Sequence, residues 1–180
     1  MGAASGGVAE RDEAFILEED ESDSMADKYL CFRLGGESYG LPIRYVTEII
    51  ELPRISPVPD MPSWIRGFMN LRGSVIPVMD LRRRLGMEER AYDDRTCVVV
   101  TEVASPDRVA IGLVVDTVEE VVEVPVREVE PVPRLRSGEG GYLLGIGKVG
   151  DRVKILLDIE KIIGEKAEDS PRGVEGGNNA

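Results

Sequence analysis

The chain contains two imperfect copies of one plan. Residues 40–53 (GLPIRYVTEIIELP) return as residues 112–125 (GLVVDTVEEVVEVP), an offset of 72 (112 − 40). Residues 67–86 (GFMNLRGSVIPVMDLRRRLG) return as residues 145–164 (GIGKVGDRVKILLDIEKIIG), an offset of 78 (145 − 67). Glycines, an Asp and the apolar positions coincide, while the residues between them often differ. One backbone plan is therefore used twice under different decoration. Each copy is near the size, about 60 residues, at which a lone unit buries too little surface to be comfortable. The two copies are expected to pack on each other and share a core.

The plan is mostly β. Residues 29–34, 38–41, 46–52, 68–71, 75–79, 96–103, 109–115, 118–124, 143–149 and 153–157 are short runs rich in Val and Ile, bounded by Gly, Pro or Asp. Many short strands of this kind point to small barrels or a sandwich. Gly35-Gly36 marks a hairpin turn, and Ser105-Pro106-Asp107 marks another. Asp80 before LRRRL and Gly86 after it give an N-cap, a short helix and a glycine stop. Asp158, then IEKII, then Gly164 repeat that arrangement. A third short helix is expected over 62–66. The resulting division is an acidic, disordered tail over 1–27, a folded unit over 28–164 and a flexible tail over 165–180. Within the folded unit one half covers about 28–90 and the other about 91–164. Phe15-Ile16-Leu17 is an apolar triplet in the acidic tail, read as an unstructured segment in preference to an anchor that folds on a partner.

Composition narrows the chemistry. The net charge of −12 disfavours a nucleic-acid backbone as partner, since such binding rests on Lys and Arg. There is no histidine, which removes the commonest general base and metal ligand. Cys31 and Cys97 lie in apolar runs and read as small core residues in a reducing compartment. No segment approaches the ~20 apolar residues of a membrane span, and the start lacks the pattern of a signal peptide. No cluster has metal-ligand spacing, so no metal and no cofactor are expected. The enzyme alternative is a small acidic hydrolase using Asp80 and Asp158, equivalent carboxylates of two β-rich halves. Neither is followed by Thr/Ser-Gly, and each stands where a helix needs a cap, so capping explains both.

That leaves binding, and the duplication acts as a filter. Positions shared by both copies serve the fold, and positions that differ are free to serve a partner. Arg72 has Gly150 as its counterpart, so the fold does not require an Arg there. Arg72 is suited to holding a carboxylate, with Glu48 as the candidate mate. Glu48 itself is not selected by the filter, because its counterpart Glu120 is also an acid.

The runs 34–43 (LGGESYGLPI), 46–49 (VTEI) and 67–81 (GFMNLRGSVIPVMDL) resemble the CheW family of chemotaxis coupling proteins. Residues 111–116 (IGLVVD), 144–147 (LGIG) and 156–159 (LLDI) agree with it in the second copy. The resemblance implies a mainly β fold of two SH3-like five-stranded barrels packed on each other, with short helices. It implies a non-catalytic, cytoplasmic adaptor, recruited to membrane-associated receptor arrays. The adaptor would couple methyl-accepting chemoreceptors to the regulatory domain of the histidine kinase CheA. By motif position, Val46, Glu48, Arg72, Cys97, Gly112 and Val121 would form the receptor-binding surface along the groove between the barrels. The loop around Leu135 would meet the kinase. A CheW-like scaffold in a different kinase pathway, serving motility or biofilm control, is the alternative within binding proteins.

Overall fold

The computed structural model describes residues 25–104, 107–132 and 141–164. Among the described residues ten strands form, all from the runs read above: β1 (Lys28–Leu34), β2 (Glu37–Pro42), β3 (Val46–Glu51), β4 (Ile65–Leu71), β5 (Ser74–Asp80), β6 (Cys97–Val103), β7 (Val109–Val115), β8 (Thr117–Glu123), β9 (Leu143–Val149) and β10 (Arg152–Leu157). Two short helices follow β5 and β10, α1 (Leu81–Arg84) and α2 (Ile159–Gly164). Asp80 caps α1 by accepting from the Arg83 N–H at 3.4 Å, and Asp158 caps α2 by accepting from Lys161 at 3.2 Å.

The sheets are not cut where the sequence halves are. One sheet has the order β3-β6-β7-β5-β4 and the other β8-β1-β2-β10-β9. The first is contiguous in sequence. The second is split, joining the N-terminal hairpin to the last three strands. The expected halves over 28–90 and 91–164 are therefore incorrect as barrels. The chain leaves the split sheet after Pro42 through a single 3-10 turn (Ile43–Tyr45), and returns to it between Val115 and Thr117. The duplication survives this exchange. Moving β1–β5 onto β6–β10, and β6–β10 onto β1–β5, carries one strand order onto the other. The parallel pairings Leu156↔Gly40 and Val78↔Gly112 are equivalent under it.

Each sheet curls into a barrel through a matching bridge. Ser56 and Phe68 exchange hydrogen bonds of 2.8 and 2.9 Å, drawing the segment after β3 onto β4. Glu130 and Ile146 do the same with two bonds of 2.8 Å, joining the segment after β8 to β9. Glycine is required at these seams. A Cβ on Gly67 would stand 2.0 Å from the Ser56 carbonyl oxygen, and one on Gly145 2.6 Å from that of Glu130. The expected helix over 62–66 is not formed. Ile65 N–H donates to Pro62 in a single turn, and the Trp64 carbonyl is taken by the Asp80 N–H at 2.7 Å. That bond and the pairing Ile65↔Met79 extend β4 instead.

The largest core lies between the barrels. It holds Leu30, Phe32, Leu34 and Leu41 from the split sheet against Met79, Val99, Ile111, Leu113 and Val115 from the contiguous one. β7 is apolar on both faces because Val114 turns the other way, into the contiguous barrel with Met69, Ile76, Val78, Val98 and Val100. The split barrel has a smaller filling of Tyr29, Cys31, Val122, Val124 and Leu156. Its interior also holds Lys154, fully buried, at the position corresponding to Ile76 (154 − 78 = 76). The crossovers are tied to the helices with opposite polarity in the two copies. Arg82 of α1 grips Asp116 through two bonds of 2.7 and 2.6 Å. The counterparts are Arg44 (116 − 72) and Glu160 (82 + 78), and Tyr45 bridges them: its O–H donates to Glu160 of α2 at 3.0 Å while accepting from Arg44 at 3.2 Å. The Ser105-Pro106-Asp107 turn, the Phe15–Leu17 triplet and both tails lie wholly or partly outside the described residues.

Candidate docking groove

β3 and β8 are the equivalent edge strands, one on each barrel. Their register shows which side chains face the seam between the barrels. Ile49 pairs with Val99, and Val121 pairs with Leu30. Directly paired residues share a face, and Val99 and Leu30 both belong to the core between the barrels. Ile49 and Val121 thus continue that core out to the surface, where they are 45% and 50% exposed. They are counterparts at the offset of 72 (121 − 49). Val46 and Cys97 sit deeper on the same face, half-buried against the core. The Cys97 thiol lies beside the Val118 N–H, bringing the start of β8 against the contiguous barrel, and burial pushes its pKa up.

Arg72 and Glu48 meet as anticipated. The guanidinium donates to both carboxylate oxygens, at 2.7 and 3.0 Å. This fork-to-fork geometry is the strongest arrangement open to such a pair. It joins β3 to the β4–β5 turn, across the closure of the contiguous barrel. The Arg72 side chain stays 74% exposed, against 24% for Glu48. Its backbone has φ +51, in the left-handed region that disfavours any residue with a Cβ. The counterpart Gly150 has φ +60, so the turn itself favours glycine. Placing an arginine there spends conformational ease on a charged, solvent-facing group, a mark of functional positions.

The second acid, Glu120, is explained by the same comparison. Lys154 reaches from β10 to Glu120 and Glu119 of β8 at 3.6 Å each, and donates to Ser38 at 3.0 Å. Both copies thus use the equivalent acid to tie an edge strand across its barrel, with the cation supplied from different places. Gly112 is the exception among the expected surface residues. It is buried, and a Cβ there would stand 2.7 Å from Val98 and 3.0 Å from Met69. Its role is packing inside the barrel. Ile49 was missed, although the offset from Val121 points straight to it. Leu135 lies outside the described residues. Asp80 is buried as a cap and also accepts from Tyr92 O–H at 2.9 Å.

The CheW-like domain model matches residues 28–167. The chain belongs to the CheW-like family. It is 34% identical over 142 residues to the chemotaxis protein CheW of Klebsiella aerogenes, covering 78% of this chain and 84% of that protein. It is 33% identical over 138 residues to protein FrzA of Myxococcus xanthus, covering 76% and 84%. Among solved structures it resembles the scaffolding protein TtCheW of Thermoanaerobacter tengcongensis, with a TM-score of 0.68 and 32% identity over 77% of this chain and 88% of that one. As a CheW-like protein it is a non-catalytic scaffold of chemotaxis signalling. The hydrolase alternative for Asp80 and Asp158 falls with that membership, and both carboxylates are occupied as helix caps.

Proposed function

We propose that this chain couples methyl-accepting chemoreceptors to the histidine kinase CheA, with the receptor's apolar tip seated between β3 and β8. The observation that carries this reading is the pair of exposed apolar side chains, Ile49 and Val121, flanking the seam, with the forked Glu48–Arg72 pair on the other face of β3. Apolar burial on Ile49, Val121 and the half-buried Val46 and Cys97 would supply affinity. The charged pair would set register, the usual role of rim charges. The segment around Leu135 would meet the regulatory domain of the kinase. In this reading the chain works at receptor arrays on the membrane without entering it. Among the described residues no helix is long and apolar enough to cross a membrane.

The test is reconstitution of kinase activity with receptor membranes, with and without this chain. The expected result is a receptor-dependent change in kinase output that requires the chain and is weakened by Arg72→Ala. Unchanged output with every cognate receptor would remove the coupling assignment.

A further inference from the structure

Arg84 occupies the place where the two copies meet. It is the last residue of α1 and is buried. Its guanidinium lies 4.6 Å from the centroid of the Trp64 ring and 4.8 Å from that of Tyr142. Its Nε donates to the Ile162 carbonyl at 3.0 Å. These partners are related by the duplication. Trp64 and Tyr142 are counterparts at an offset of 78 (142 − 64), and Arg84 and Ile162 at the same offset (162 − 84). Each aromatic residue leads into the strand that closes its barrel, β4 or β9. Each carbonyl accepts from the N–H of the Asp that caps the matching helix, at 2.7 Å for Trp64 and 2.8 Å for Tyr142. One asymmetric side chain therefore touches equivalent points of both barrels at once, and its own counterpart is the group it bonds.

We propose that Arg84 is a positioning residue for partner docking, fixing the angle between the barrels and with it the opening between β3 and β8. Three directional restraints on one planar group suit this task. An apolar contact tolerates sliding, whereas a guanidinium held between two rings and bonded to a carbonyl holds one orientation. The walls of the groove lie on different barrels, Ile49 on the contiguous one and Val121 on the split one. A small rotation between the barrels moves these residues relative to each other without touching either interior. The inference rests on the groove reading given above, and its test separates the two.

The full chain is measured by NMR, with backbone residual dipolar couplings collected for the strands of each sheet, in wild type and Arg84→Met. Binding of a cytoplasmic signalling fragment of a cognate receptor is titrated in parallel, with Arg72→Ala as the control. In wild type one molecular orientation fits both sheets. In Arg84→Met each sheet is expected to keep its internal couplings while one common orientation no longer fits. Affinity for the fragment should fall by at least about fivefold. Couplings that still fit the wild-type orientation overturn the proposal, whatever happens to the melting temperature, because a merely stabilising role leaves them unmoved. A changed orientation with undiminished binding, while Arg72→Ala weakens it, overturns the link to docking. If neither variant weakens binding, the groove reading itself fails and the docking role falls with it. Should Arg84→Met lose its dispersed amide spectrum, Trp64→Leu, which removes one wall and keeps the arginine, decides on the same two readouts.

Discussion

Lys154 offers a quantitative test of how the split barrel is held. Its side chain is 1% exposed, and its ammonium lies 3.0 Å from Ser38 Oγ and 3.6 Å from both Glu119 and Glu120. Glu119 Oε1 is buried without a hydrogen bond, with Arg33 Nε 3.5 Å away. Substitution Lys154→Ile copies the counterpart Ile76 and leaves Glu119 facing an apolar interior. Removing one partner of a buried ion pair costs about 3–5 kcal/mol. Glu120 is more than half exposed and adds little, and Arg33 recovers part of the loss for Glu119, so about 2–3 kcal/mol is expected. For a folded unit of this size that lowers Tm by roughly 6–12 °C. Adding Glu119→Thr copies the counterpart Thr47 and removes the stranded carboxylate. Exchanging a whole buried pair for neutral groups is often close to neutral, so the double variant should regain most of the loss. Urea and thermal unfolding of the two single variants and the double complete the cycle. A harmless Lys154→Ile, or a double variant as unstable as the sum of the singles, would refute the ion pair as the tie across the barrel.

Three further outcomes are expected. Arg72→Gly restores the residue its turn favours, so melting should stay within a few degrees of wild type, while affinity for a receptor fragment, measured by calorimetry, should fall at least about tenfold. Burial alone would raise the pKa of Asp116, but hydrogen bonds from Arg82 and the Gly35 N–H hold it below the ordinary carboxylate range. Its stabilising contribution is therefore complete above about pH 4 and lost as pH falls through its folded value, and Asp116→Asn should flatten the acid limb of a Tm–pH profile. The Cys31 thiol is pushed up to about 11 by burial, so in the native chain at pH 8 alkylation followed by mass spectrometry should find it unmodified, with full reaction after unfolding.

Strands and caps were legible because each rests on local pattern, and Arg72 because comparison of the two copies singled it out. Apolar runs bounded by turn residues defined all ten strands, and Asp followed by an apolar helix face and a glycine defined both caps. The exchange of strands was not legible. A sequence built from two like copies is equally satisfied by pairing within a copy or between copies, since Val98, Val99 and Val100 offer apolar faces to either partner. What decides is the short crossover at Ile43–Tyr45, which gives the chain no room to fold back on its own hairpin. Trp64 misled because a polar turn followed by mixed residues resembles a helix start, whereas its carbonyl is claimed by Asp80 far along the chain. Lys154 was not singled out, since a lone lysine in a strand ordinarily points to water, although its counterpart Ile76 marks the position as apolar. Ile49 was within reach, because the duplication that selected Val121 applies equally to its partner strand.

The split barrel also sets an order of events during synthesis. The contiguous barrel has all its strands once Val115 has left the ribosome, whereas the hairpin β1–β2 must wait until Leu157 has been made before its sheet is complete. Through that interval Phe32, Leu34 and Leu41 can rest only on the barrel already formed, through the core the two share. The long wait is the kind of non-local closure that slows folding and leaves strand edges open to other chains. The contiguous barrel thereby acts as a template on which the first-made hairpin is stored for the last-made strands, and truncation between the end of β7 and the start of β9 should yield a chain with one finished barrel and an orphaned, aggregation-prone hairpin.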